Sequence, residues 1–154
     1  MNYQCEIVER PPQTTLSVRS RIPRQELPQF FAQAYTAIIQ YLEELEQQPA
    51  GPPYAVYHNI DMQNLDVEAG FLVSRPCPGR GDIRGGQLPG GQAASCVHTG
   101  PYDQVAPVYE ALVQYIQALG RTASGIACEI YLNDPKQTLP HQLQTQIVLP
   151  LIVE

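Results

Sequence analysis

Tryptophan is absent, and basic residues are scarce. The 154-residue chain carries nine lysines and arginines against fifteen acids, for a formal net charge of −6. Proteins that grip nucleic acid neutralise phosphates with a basic patch. No basic run occurs here, and Arg19, Arg21 and Arg24 read as solvated arginines near a strand end. Direct nucleic-acid binding is therefore not expected, and the acidic balance favours a cationic ligand. Long apolar runs are also missing, since none approaches the ~20 residues of a membrane helix. The first residues, Met1-Asn2-Tyr3-Gln4-Cys5-Glu6, lack the basic start and apolar core of a signal peptide. The expectation is a cytoplasmic protein without a membrane partner.

Several catalytic and cofactor signatures are missing too. Cys5, Cys77, Cys96 and Cys128 form no zinc-knuckle or Cys-x-x-Cys spacing. Cys96 and Cys128 stand in apolar stretches, where a thiol acts as a small hydrophobe, so core thiols are expected. The stretch Gly79-Arg80-Gly81-Asp82-Ile83-Arg84 lacks the third glycine of a dinucleotide fingerprint, and there is no phosphate loop or Gly-x-Ser-x-Gly elbow. His58, Asp61, Asp66 and Glu68 match no metal-ligand spacing. No metal or cofactor is expected. His98, before a Thr-Gly-Pro turn, reads as a structural histidine rather than a catalytic base.

What is present suits a single globular domain spanning 1–154, with 44% apolar and 16% charged residues. Leu27, Phe30, Phe31, Ala34, Ile38, Tyr41, Leu42 and Leu45 recur at helical steps, with Pro28 in the first turn and Pro49-Ala50-Gly51-Pro52-Pro53 as the stop. Val105, Val108, Tyr109, Leu112, Ile116 and Leu119 mark a second helix, with Asp103 as its expected N-cap and Gly120 as its stop. Strands are expected near 3–9, 14–21, 54–59, 66–73, 82–87, 92–99, 127–133 and 144–151. Six of the eleven glycines lie between Gly79 and Gly91, which predicts a loop or hairpin edge there.

The order strand, strand, helix, strand, strand occurs twice, and Tyr57-His58-Asn59 echoes Tyr131-Leu132-Asn133. This predicts an α+β fold of duplicated β-β-α-β-β halves with pseudo-twofold symmetry. Its antiparallel sheet would carry both helices on one face and a ligand cleft on the other.

Six blocks carry a family resemblance. They are Gly51-Pro52-Pro53 with Tyr57-His58-Asn59-Ile60-Asp61; Asp66-Val67-Glu68-Ala69-Gly70; Leu88-Pro89-Gly90-Gly91; His98-Thr99-Gly100-Pro101-Tyr102-Asp103; Tyr109-Glu110-Ala111-Leu112; and Glu129-Ile130-Tyr131-Leu132-Asn133-Asp134-Pro135. In this order the chain resembles the GyrI-like domain, which is also the effector-binding part of multidrug-responsive transcription regulators. The resemblance implies two repeated halves and a pocket for cationic aromatic compounds, built on a buried glutamate among aromatic rings. That glutamate matches Glu129. It also implies two alternatives: a hydrolase of electrophilic toxins with Glu129 as general base, and a module that interacts with DNA gyrase or a regulator. The chain starts at its first strand, leaving no room for a helix-turn-helix, so direct transcriptional control is not expected.

Alternation along the strand puts Ala127, Glu129, Tyr131 and Asn133 on one face and Cys128, Ile130 and Leu132 on the other, expected to be the helix-covered one. The strand alone leaves Glu129 open to two readings, a solvated surface acid or the charged centre of a pocket. Tyr57 and Tyr131, at equivalent positions, are candidates to flank a ligand, and strand propensity alone also explains them. Glu68 is a candidate second carboxylate or rim residue. Tyr102 either reaches the ligand or packs at the helix entry, and Tyr109 is assigned to core packing. The leading expectation is a non-catalytic sensor, buffer or sequestering protein for amphipathic, cationic aromatic molecules.

Overall fold

The computed structural model describes residues 3–153. They form eight strands and two α-helices, an α+β fold in which every described strand pairing is antiparallel. The chain gathers into two compact units, Pro12–Pro89 (unit I) and Met1–Pro11 with Gly90–Glu154 (unit II). The domain expectation of 1–154 extends to Met1, Asn2 and Glu154, which lie outside the described residues.

Unit I contains β2 (Gln13–Ile22), α1 (Leu27–Glu44), β3 (Pro53–Tyr57), β4 (Leu65–Leu72) and β5 (Arg84–Leu88). Its strands lie in the order β5-β2-β4-β3. Leu16 pairs with Phe71, and both pack with Ile38, Tyr41 and Leu42 of α1, so these residues define the face the helix covers. Ile38 and Leu42 are almost fully buried, and each such side chain contributes about 1.5–3 kcal/mol relative to exposure. The Tyr35 hydroxyl donates to the Tyr54 carbonyl at 2.7 Å, which ties α1 to β3.

Unit II contains β1 (Glu6–Arg10), β6 (Gly91–Thr99), α2 (Ala106–Ala118), β7 (Ala127–Tyr131) and β8 (Gln144–Pro150), in the order β1-β6-β8-β7. Val108, Leu112 and Ile116 of α2 pack on Ala94, Cys96, Ile147 and Leu149. The strand order repeats that of unit I, with β6, β8 and β7 in the places of β2, β4 and β3. The fourth strands do not follow the simple chain order of the echo. β1 pairs with β6, so unit II takes its outer strand from the N-terminal part of the chain, whereas unit I is one continuous stretch whose first and last strands, β2 and β5, pair with each other. Two-residue links at Pro11-Pro12 and Pro89-Gly90 join those strands to their sequence neighbours. Proline lacks a backbone N–H and fixes φ, which suits a crossing better than a paired hairpin.

All eight predicted strands and both helices are present. Helix α1 ends earlier than the proline cluster: Glu46 adopts a left-handed φ of 55°, with Gln47 N–H donating to Leu42 O and Glu46 N–H to Glu43 O. Helix α2 ends the same way with Gly120 at φ 70°. The expected Asp103 cap is not formed. Asp103 lies in a 3-10 turn at Tyr102–Gln104, and Val105 caps α2 without a side-chain bond. Pro107 at the helix start needs no N–H partner, which reduces the demand for a cap.

Candidate functional site

Glu129 lies in the middle of β7 opposite Ile147, whose side chain belongs to the α2 core. Residues directly opposite in an antiparallel pair share a face. Glu129 therefore points to the helix-bearing face of unit II, together with Ala127 and Tyr131. This corrects the expectation that Cys128, Ile130 and Leu132 form the helix-covered face and that the carboxylate opens onto the other. The alternation was right and the assignment of faces was reversed. Cys128 and its partner Val148 are both buried as well, so both faces of the pair are apolar and neither is marked by composition.

The consequence is a carboxylate among phenols. Tyr109, on α2, donates to Glu129 Oε2 at 2.5 Å, and Tyr131 donates to Oε1 at 3.1 Å. The Tyr102 ring meets the Tyr131 ring edge-on, with centroids 5.3 Å apart and planes at 63°. Glu129, Tyr109 and Tyr131 are half-buried, and Tyr102 is 36% exposed. Burial, and then the charge of Asp134, raises the Tyr102 phenol above its ordinary range. An ionised carboxylate has about four lone-pair positions, and two phenols leave acceptor capacity for a ligand. Among the described residues, no basic side chain lies within ion-pairing distance of Glu129. Tyr109 is the member missed in the sequence. It lies on the apolar stripe of α2 as expected, and its hydroxyl, which a partly buried tyrosine must still satisfy, was the available signal.

Tyr57 and Glu68 belong to unit I. Tyr57 pairs with Val67, two steps along from Phe71, and so faces α1, as Tyr131 faces α2. Glu68 faces the other way. Its Oε2 accepts from the Tyr54 hydroxyl at 3.0 Å, and its Oε1 lies 3.1 Å from His58 Nε2. Burial, and then the charge of Glu68, raises the Tyr54 phenol far above its ordinary value. On the same face Arg19 grips Asp66 through two hydrogen bonds of 2.8 and 2.7 Å, with Arg21 at 3.5 Å. The Arg19 bond holds the Asp66 carboxyl below its usual range. The structure thus joins Glu129, Tyr131 and Tyr102 and leaves Tyr57 and Glu68 on opposite faces of unit I.

His98 is buried and its Nε2 lies 3.0 Å from the Pro101 carbonyl, a structural bond at the turn. Among the described residues, no group of three or more His, Cys, Asp or Glu is placed to hold a metal, and no helix is long and apolar enough to cross a membrane. An open groove of about 1140 Å³ in unit II is lined by Tyr3, Cys5, Glu6, Val97, Ala111 and Tyr115, among others, and does not include Glu129.

Comparison with known proteins places this geometry in context. The profile of the GyrI-like small molecule binding domain matches residues 3–152. No curated protein matches the sequence. The fold is similar to that of the EcmrR C-terminal domain, with a TM-score of 0.78 and 23% identity over 99% of both chains. It is also similar to EcmrR in a complex with DNA, with a TM-score of 0.84, 22% identity and 97% of this chain covered. There the chain spans 57% of the EcmrR length. A third fold relative is SAV2435 bound to tetraphenylphosphonium, with a TM-score of 0.67 and 14% identity over 99% of this chain and 94% of that one.

Proposed function

Because the chain belongs to the GyrI-like small molecule binding domain family, we propose that it binds amphipathic, cationic aromatic molecules at Glu129, as a sensor, buffer or sequestering protein. The observation that carries this reading is the half-buried Glu129 carboxylate held by the Tyr109 and Tyr131 hydroxyls, with Tyr102 edge-on to Tyr131. The two phenols orient the carboxylate before a ligand arrives, which lowers the cost of ordering it on binding. A cation beside Glu129 supplies the charge that the site itself lacks. Tyr102 and Tyr131 offer ring faces to the same ligand, and each cation–π contact contributes about 0.5–2 kcal/mol. An aromatic cation engages both features, whereas a neutral analogue engages only the rings. The tetraphenylphosphonium held by SAV2435 fits this chemistry.

In this reading the two units are duplicated copies of one motif, Tyr57 is the unit I counterpart of Tyr131, and Glu68 is a rim acid already engaged by Tyr54 and His58. The test is a thermal-shift series with tetraphenylphosphonium and neutral triphenylphosphine oxide on wild type and Glu129→Gln. A ligand at 100 times its Kd stabilises by about 2.7 kcal/mol. The expected outcome is a shift with the cation that is lost in Glu129→Gln. Equal shifts in both proteins would remove Glu129 from the site.

A further inference from the structure

Two of the four cysteines, 91 positions apart in the chain, meet across one strand pair. Glu6 of β1 lies opposite Ser95 of β6. One residue further out, the antiparallel register brings Cys5 opposite Cys96. Opposed residues in such a pair have Cα atoms about 4.5–5.5 Å apart, within the span of about 4.4–6.8 Å that a disulfide bridges. Both side chains join the α2-facing core of unit II. Both are thiols in this structure. Their environments differ. Cys96 is 3% exposed, whereas Cys5 is partly exposed and lines the open groove with Tyr3, Glu6 and Tyr115.

We propose that Cys5 and Cys96 form a redox-active dithiol, in which Cys5 reacts with small-molecule disulfides from the groove and Cys96 closes an intramolecular bond. In the first step the Cys5 thiolate attacks one sulfur of the oxidant, forming a mixed disulfide and expelling one thiolate. In the second, the Cys96 thiolate attacks Cys5 Sγ and expels the other thiolate. The protein loses two electrons and two protons, and the oxidant leaves as two thiols. Access sets this order, because only Cys5 stands on the groove wall. Burial, and then the neighbouring Cys5, pushes the Cys96 thiol up to about 11, so closure accelerates with rising pH. The bond would staple residues 3–5 and β1, the outer strand of unit II, to β6. The other two cysteines lie elsewhere: Cys77 packs in the core of unit I, and Cys128 faces Val148 on the opposite side of its sheet.

Oxidised glutathione is the probe. After equilibration with wild type, titratable thiols under denaturing conditions are expected to fall from four to two, with a Cys5–Cys96 peptide in the digest. Hydrogen exchange across residues 3–10 is expected to slow at least several-fold in the oxidised protein. Cys96→Ser is expected to stop at a glutathione adduct on Cys5, Cys5→Ser to keep all three of its thiols, and Cys128→Ser to close the bond normally. Retention of four thiols by wild type, or loss of two thiols in Cys5→Ser, would overturn the proposal. The wild-type thiol count and peptide map decide the matter even where a serine variant folds poorly.

Discussion

The Tyr109 hydroxyl of α2 donates to the Glu129 carboxylate of β7 at 2.5 Å, so the helix stripe that packs the core also holds the carboxylate of the candidate site by its oxygen Oε2. Tyr109→Phe keeps the ring and removes the donor. Hydrogen bonds to charged groups contribute about 1.5–3 kcal/mol when well buried. This pair is half-buried, so a loss of about 1 kcal/mol is expected in urea unfolding. A double-mutant cycle with Glu129→Gln is expected to show coupling. Strict additivity of the two substitutions would mean that the bond has no energetic role.

Acid should act on unit I through Asp66. Arg19 depresses its folded-state pKa, so the pair contributes fully at pH values above the unfolded carboxyl's ordinary range and is lost as pH falls through the folded pKa. Asp66→Asn is expected to cost up to about 1 kcal/mol at pH 7, discounted for the exposure of Arg19. That difference should shrink below about pH 4. A wild-type-to-mutant gap that stays constant down to pH 2 would contradict the assignment.

Alkali tests the buried phenol. Tyr54 in the folded state ionises far above its ordinary value, so the unfolded chain releases that proton first. The sign follows: stability is insensitive to Tyr54 at neutral pH and falls as pH rises above about 10. Spectroscopic titration of the folded protein should show Tyr54 among the last of the nine tyrosines to ionise, and Tyr54→Phe should remove that late phase.

The two helix ends provide a matched experiment. Glu46 and Gly120 occupy the same left-handed position after α1 and α2. A side chain there costs about 1–2 kcal/mol relative to glycine. Glu46→Gly is expected to stabilise the protein by about 1 kcal/mol and Gly120→Ala to destabilise it by a similar amount. Calorimetry of the two variants checks both signs.

Gly70 is needed for a different reason, close approach. A Cβ there would lie 2.5 Å from the Leu16 carbonyl and 2.7 Å from the Tyr54 hydroxyl. Because one of these neighbours is backbone, Gly70→Ala is expected to cost about 2–3 kcal/mol. A neutral effect would mean that β2 and Tyr54 move aside freely.

The eight strands, the two helices and the alternation that separates Glu129 from Cys128 were all legible in the sequence, because period and turn chemistry act over a few residues. The position of Tyr109 on the helix stripe was legible too. Three features were not: which face of β7 receives α2, which strand pairs with β1, and that Cys5 stands opposite Cys96. Both faces of the β7–β8 pair are apolar, so no local pattern separates them, and only the packing of Ile147 against α2 turns Glu129 towards Tyr109. Strand partners distant in the chain are chosen by the burial and backbone pairing they complete together, a property of the assembled sheet that neither segment carries alone.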